Sequence, residues 1–246
     1  MGIVNLTPDS FYAPSRADGA DAALARIALL QKRGCGIIDL GAVSTRPGAD
    51  EVALEEEWRR LEPVLNRIAG LSAREKIIIS IDTTSSEIVR RCCRAVGPFI
   101  VNDISAGEED PLMLPTVAEL GLSYIAMHKR GNPRSMDSFC EYPEGVVKAV
   151  DDYFEAFSVR AAEFGIADWI LDPGFGFAKT AEQNWELLEN LPSLRHFGRP
   201  ILVGVADKRF TRTPNPFAGL DSHQVSGSGY AEHLAEERGA DILRIH

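Results

Sequence analysis

Residues 77–107 read IIISIDTTSSEIVRRCCRAVGPFIVNDISAG. A run of Ile and Ser leads into Asp82, a helical segment follows, and Phe99, Ile100 and Val101 lead into Asn102 and Asp103. Continuous β-branched and apolar runs bounded by turn residues suit strands buried on both faces. Two such strands joined by one helix form a parallel βαβ unit. Asp82 and Asn102 stand at the strand ends, so the unit places them side by side on one rim of a parallel sheet. That rim is where α/β folds bind their ligands.

The same alternation runs through the rest of the chain. A first strand ends at Asn5, and the segment 6–17 carries Pro, Ser and Asp turn chemistry. Asp18 or Asp21 is a candidate cap for a helix with Ala20, Leu24, Ile27 and Ala28 on one face. Strand two spans 35–40, and a second polar loop runs from Val43 to Asp50. An amphipathic helix over 52–69 buries Leu54, Trp58, Leu61 and Leu65. A helix over 112–120, strand five over 123–127 and the basic loop His128-Lys129-Arg130-Gly131 come next. After a polar connection, a long helix covers 146–164. Strand six, 169–172, ends in Asp172 and enters Pro173-Gly174-Phe175-Gly176-Phe177. Helices over 182–191 and 230–238 alternate with strands over 200–205 and 242–246, and 211–228 reads as a loop.

Eight strands and seven helices in 246 residues, with no shift in composition to mark a linker, predict one domain over 1–246. The length agrees with the ~250 residues typical of a (β/α)8 TIM barrel. The reading is an α/β barrel lacking its eighth helix and trimmed at the N-terminus. An open doubly wound sheet is the runner-up, disfavoured because no strand leads into a GxGxxG turn.

A hydrophobic fraction of 45% supports a sizeable core. The net charge of −10 argues against general nucleic-acid binding. No apolar run has the length of a membrane span, and no leader is visible, so a cytoplasmic protein is expected. Cys35, Cys92, Cys93 and Cys140 show no zinc-type spacing and read as reduced thiols.

The strand ends collect Asn5, Asp39, Asp82, Asn102, Asp103, His128, Asp172, Lys208, Arg244 and His246. Singly, Asp39 and Asp103 read best as loop-bracing carboxylates and Lys208 as a solvated charge. Together on one rim they read as a site, because burying so many polar groups without partners is costly. Asp82, Asn102 and Asp172 suit a flat heterocycle rich in N–H donors. Arg46, Arg244 and His246, with Asn5 nearby, suit a phosphate or pyrophosphate. Phe177 offers an aromatic wall, and the two polar loops are long enough to act as lids.

MGIVNLTPDSF, DLGAVSTRPGAD, ISID, VNDISAG, AMHKRG, LDPGFGFAKT, LVGVADK and ILRIH occur here in order. In this the whole chain resembles the dihydropteroate synthase family of pterin-binding TIM barrels. TPDSF with STRPG is specific to it; the pterin domains of corrinoid methyltransferases share the barrel and the Asn-Asp strand end but not those loops. The resemblance implies a cytoplasmic transferase of folate biosynthesis. Such an enzyme condenses 6-hydroxymethyl-7,8-dihydropterin pyrophosphate with 4-aminobenzoate, gives 7,8-dihydropteroate and pyrophosphate, and is a sulfonamide target. It implies that Asp82, Asn102, Asp172 and Lys208 hold the pterin, with Met127 lining the pocket. It implies that Asn5, Arg244 and His246 hold the pyrophosphate, with Asn5 also meeting Mg2+. Asp9 in the first loop and Thr45, Arg46 and Pro47 in the second would close over aminobenzoate and pyrophosphate, with Phe177 beside the aminobenzoate. Asp9, Arg46, Lys208, Arg244 and His246 are then the expected catalytic set. The implied partners are these small molecules, with neither nucleic acid nor membrane, and a homodimer is compatible with the resemblance. Two departures stand out. Val43 occupies a position where many members carry Glu, and Ala206-Asp207-Lys208-Arg209 replaces the usual Ser-Arg-Lys-Ser. The alternatives are a pterin-binding paralogue impaired in catalysis and, at greater distance, a methyltetrahydrofolate-binding methyltransferase domain.

Overall fold

The computed structural model describes residues 1–7, 16–43, 52–71, 77–131, 139–218 and 226–246. Strands and helices alternate as β1 (Gly2–Asn5), α1 (Arg16–Lys32), β2 (Ile37–Gly41), α2 (Leu54–Ala69), β3 (Ile78–Asp82) and α3 (Ser86–Val96). They continue as β4 (Ile100–Asp103), α4 (Met113–Leu120), β5 (Ser123–Met127), α5 (Val146–Phe164), β6 (Trp169–Asp172) and α6 (Ala181–Glu189). β7 (Leu202–Val203), α7 (Ser228–Glu237) and β8 (Ile242–Leu243) complete the order, with 3-10 turns at Leu191–Phe197 and Arg209–Arg212.

β1 to β6 pair in sequence as a parallel sheet, and β7 pairs with β8. Two further parallel bridges, Leu171 to Ile201 and Gly2 to Ile245, join the pieces. Ile3 N–H donates to the Ile245 carbonyl and Ile245 N–H to the Met1 carbonyl, each at 2.9 Å. The eight strands therefore close, and the open-sheet alternative is excluded.

Closure sorts the strand residues by the two-residue period of β-structure. Met1, Ile125, Ile170 and Leu202, flanked by Ile37, Ile100 and Ile242, pack as one apolar cluster inside the barrel. Two residues further along the strands stand Asp39, Asn102, Met127, Asp172, Gly204 and Arg244. The outward-facing residues, among them Ile38, Leu40, Val101, Tyr124 and Leu171, build the larger core against the helices. The interior cluster fills the bottom of the barrel, and the polar set sits on top of it.

The elements carry local signals that explain them. Ser85 caps α3 by accepting from Ile88 N–H at 3.4 Å, and Thr180 with Gln183 forms a reciprocal capping box on α6. Gly121 and Gly165 end α4 and α5 in the left-handed conformation that spares a Cβ clash. α1 differs from expectation. Its buried stripe is Ala20, Ala23, Ile27 and Leu30, while Ala28 is exposed and Leu24 only partly covered. Leu30 packs against Gly2, where a Cβ would lie 2.9 Å from one of its methyls. No helix among the described residues is long and apolar enough to cross a membrane. The cysteines are free thiols.

Candidate active site

A cavity of about 90 Å³ opens at the C-terminal end of the strands. Asp82, Asn102, Met127, Asp172, Phe177, Lys208, Arg244 and His246 line it, with Ile3, Gly174, Gly204 and Ala206. Every strand but β2 contributes at its last inward positions or just beyond, so seven short segments converge on one volume. This is the face on which TIM barrels place their chemistry.

Beneath the cavity lies a charge network. The Arg244 guanidinium donates from Nε to Asp39 Oδ2 at 2.7 Å and from Nη2 to Asp82 Oδ2 at 2.9 Å. Asn102 Nδ2 donates to the same Asp39 oxygen at 3.1 Å. Asp39 is fully buried, and its second oxygen has no protein partner. Taken singly, Asp39 reads as a loop brace, and with the other rim residues it reads as part of a site. Its partner lies 205 residues away on β8, so it frames the floor of the site. Burial works against the Arg244 charge, but the Asp39 and Asp82 carboxylates outweigh it and raise its pKa. Burial pushes the Asp82 carboxyl up to about 7 against the pull of Arg244. Gly41 separates Asn5 from Asp82; a Cβ there would sit 3.7 Å from Asn5 Oδ1 and 3.7 Å from Asp82 Oδ2. Oxygen atoms from β1 and β3 thus flank an uncrowded backbone.

The β6–α6 loop forms the opposite wall. Asp172 Oδ1 accepts the Gly174 amide at 2.8 Å. Burial raises the Asp172 pKa, opposed by that amide and by Arg244, Lys208 and Lys179. Gly174 and Gly176 have φ of +70° and +79°, and a Cβ on Gly174 would lie 1.9 Å from the His128 carbonyl oxygen. Only glycine fits that approach. The Lys208 ammonium stands 4.7 Å from the Phe177 ring centroid, a cation–π contact. Burial, reinforced by Arg244, lowers the Lys208 pKa.

Lys179 was not among the expected site residues. Its side chain is buried behind the loop, and Nζ bonds the Gly174 carbonyl at 2.9 Å, the Phe177 carbonyl at 3.1 Å and His128 Nδ1 at 3.0 Å. Burial brings its pKa down to about 7. Burial and the adjacent Lys179 and Arg130 keep His128 neutral. The motif LDPGFGFAKT contained Lys179, but nothing in a motif shows that a lysine turns inward.

Asp82, Asn102, Met127, Asp172, Phe177, Lys208, Arg244 and His246 come together as expected. Asn5 ends β1 beside Asp82, across Gly41. Asp9, Thr45, Arg46 and Pro47 lie outside the described residues. Two rim candidates fall elsewhere. His128 belongs to the lysine cluster behind the wall. Asp103 braces its turn, accepting Ser105 N–H and Oγ at 2.7 Å, Gly107 N–H at 2.9 Å and the Tyr124 hydroxyl at 2.6 Å. Asp207 is exposed at φ 55° and raises the pKa of neighbouring Glu232; it does not line the cavity. Among the described residues, Asp151, Glu155 and His196 could share a metal ion, but they sit on α5 and the 3-10 turn after α6, outside the barrel.

A closed eight-stranded barrel with this polar set over an apolar plug defines a pterin-binding enzyme, and the chain belongs to that family: the family model for pterin binding enzymes matches residues 1–246. Its curated relatives include the dihydropteroate synthases of Synechocystis and Escherichia coli. Each is 39% identical, over 252 and 248 residues, and covers 100% of this chain and 84% and 85% of its own length. Among solved structures, the Xanthomonas albilineans dihydropteroate synthase with 4-aminobenzoic acid superposes with a TM-score of 0.84 at 36% identity, covering 100% of this chain and 86% of its own. The Yersinia pestis dihydropteroate synthase in a sulfonamide complex gives 0.85 at 33%, covering 100% and 87%.

Proposed function

We infer that this chain is a dihydropteroate synthase, a transferase of folate synthesis that joins a dihydropterin methyl group to the nitrogen of 4-aminobenzoate. The observation that carries the reading is the convergence of Asp82, Asn102, Asp172 and Lys208 on one barrel-top cavity, in a chain whose relatives bear that name. Asp172 and Asn102 offer acceptors and an amide to the N–H edge of a pterin, and Lys208 offers a donor to its carbonyl side. Phe177 and Met127 supply the apolar faces of the slot. Arg244 and His246 are the cationic and hydrogen-bonding groups for the pyrophosphate, with Arg46 as a further cation from the second polar loop. A sulfonamide would compete where the aminobenzoate sits.

The chemistry follows from charge. The C–O bond between the pterin methylene and pyrophosphate breaks, and the pyrophosphate leaves with the electron pair. The pterin ring delocalises the resulting cation. The aniline nitrogen attacks that carbon, the C–N bond forms, and the ammonium proton passes to solvent. An aniline is a poor nucleophile, so the site contributes by positioning it against the cation and by stabilising the departing anion. Arg244 is already locked by Asp39 and Asp82, which fixes its direction before any ligand arrives. The Asn5 side-chain oxygen would hold Mg2+, a hard cation that prefers oxygen ligands. Bound there, it would neutralise charge on the leaving group.

The deciding experiment incubates the protein with dihydropterin pyrophosphate and 4-aminobenzoate and follows dihydropteroate and pyrophosphate together, beside a calorimetric titration with a pterin. Equal release of both products is expected. Pterin binding with no product would assign the chain to a binding paralogue. Varying Mg2+ from none to millimolar tests the metal separately.

A further inference from the structure

Loop 173–178 is unusually constrained for a connection that carries two site residues. Gly174, Gly176 and Ala178 all have left-handed backbone, with Ala178 at φ 50°. Such a loop keeps its shape only if its carbonyls are held. Asn184 of α6 takes the Gly176 amide at 2.7 Å, and the Tyr142 hydroxyl donates to the Ala178 carbonyl at 2.9 Å. The remaining inward carbonyls, Gly174 and Phe177, both point at the Lys179 ammonium. His128 Nδ1 lies 3.0 Å away as the third neighbour, so a charged Lys179 has three acceptors for its three N–H donors when His128 is the Nε2–H tautomer.

The charge is matched as well. No carboxylate forms an ion pair with Lys179 among the described residues, yet Asp172 is the largest charge acting in its favour. Gly174 bridges them: its N–H donates to Asp172 and its carbonyl accepts from Lys179. We propose that Lys179 is a positioning residue for the pterin end of the site: its buried ammonium fixes the loop that directs Asp172 and Phe177, and adds to the charge of Arg244 and Lys208 that favours ionised Asp172 when a pterin pairs with it. This rests on the assignment of Asp172 to the pterin.

The charged groups facing Asp172 are Arg244 from β8, Lys208 after β7 and Lys179 itself. Those facing Lys179 are Asp172, His128 and Arg130 after β5, Cys140, and Lys208. Arg244 is spoken for by Asp39 and Asp82. Lys179 has a depressed pKa, so its cation is present below about pH 7 and fades above it. Pterin affinity should therefore fall on the acid side as Asp172 gains a proton and on the alkaline side as Lys179 loses one.

The test measures binding of 6-hydroxymethylpterin by calorimetry from about pH 4 to about pH 10, between the ordinary carboxylate and lysine values, for wild type, Lys179→Met and Lys179→Gln. The Met variant should bind roughly tenfold or more weakly, the scale at which partners that orient a binding group act. Its alkaline limb should vanish and its acid limb move to higher pH. The Gln variant keeps donors for the loop carbonyls and should recover part of the affinity but not the limb positions. A merely structural lysine would lower affinity without moving either limb, and that result overturns the proposal. Should neither variant fold, the wild-type protein decides: by reciprocal linkage, pterin binding must raise the pH at which the Lys179 ¹⁵Nζ resonance titrates. No movement on saturation overturns the charge link. Asp172→Asn is the control. If it binds pterin as wild type does, the site assignment fails; if it alone loses binding, the lysine inference fails.

Discussion

At Asp172 one carboxylate oxygen accepts the Gly174 amide, and the carboxyl also lines the cavity. Replacement by Ala would therefore disturb the loop along with the ligand. Asp172→Asn keeps an acceptor for the amide and removes the charge. It should retain a near wild-type melting temperature while pterin affinity falls by ~10⁴, the scale on which a site built for hydrogen bonds rejects a mismatch. Calorimetry beside a thermal melt checks both halves, and wild-type affinity would remove Asp172 from the pterin site. Arg244 makes the complementary case. Arg244→Met leaves Asp39 and Asp82 buried without their cation, at a cost of ~3–5 kcal/mol. The Asp82 carboxyl is already raised to about 7 in the folded chain, so its protonated form favours folding. The stability it lends is complete below about pH 4 and declines as pH rises through about 7. Removing Arg244 pushes that decline further up and deepens it. The melting-temperature deficit of the variant should grow between about pH 5 and about pH 8, as Asp82 ionises in the wild type. A deficit that does not vary with pH would mean the carboxylates are not held by Arg244.

Loops on the rim are elements in their own right, and backbone geometry decides what each tolerates. Gly174→Ala drives a Cβ to 1.9 Å from the His128 carbonyl and places alanine in a left-handed conformation worth ~1–2 kcal/mol by itself. Backbone cannot yield as a side chain can, so the variant should be destabilised by more than ~2 kcal/mol in denaturant melts and should lose pterin binding. Gly176→Ala meets only the flexible Lys208 chain, at 3.2 Å. Its penalty should stay near the conformational cost, and the contrast between the two is the readout. The β7 loop gives the opposite forecast. Asp207 stands where the family resemblance expects Arg, but it is exposed and absent from the cavity wall, and with burial it raises the pKa of Glu232. Asp207→Arg should therefore leave the KM for 4-aminobenzoate within ~2-fold, the behaviour of exposed charge pairs. A large fall in KM would show that this carboxylate reaches the substrate.

For the whole molecule, closure is the decisive property. The barrel depends on two narrow seams, Leu171 against Ile201 and Gly2 against Ile245. Ile245→Pro removes the N–H that donates to the Met1 carbonyl, a ladder bond that proline cannot make. The prediction is a general loss of stability in place of a local one. Hydrogen exchange should quicken across β1, β2 and β8 together, and the cavity should lose pterin affinity even though no site residue has changed. Exchange confined to the last few residues would show that the seam is not what holds the rim together.

Much of this was legible in the chain. The strand residues that point inward run from apolar to polar, as in Ile100 then Asn102, Ile170 then Asp172, and Ile242 then Arg244. Period and strand direction follow from local backbone sterics, so they placed eight strands and most of the rim without any coordinates. Strand ends were less certain: β7 shortens to Leu202–Val203, and β8 to Ile242–Leu243, because pairing across a seam sets where a ladder stops. What the sequence could not decide were contacts between residues far apart in the chain. Taken singly, Asp39 reads as a loop brace until β8 brings Arg244 within 2.7 Å of it. Lys179 is only one letter of the motif LDPGFGFAKT until the folded loop turns two carbonyls and His128 toward it. Local propensity and period are properties of neighbours along the chain, whereas the partner of a buried charge is chosen by closure of the barrel.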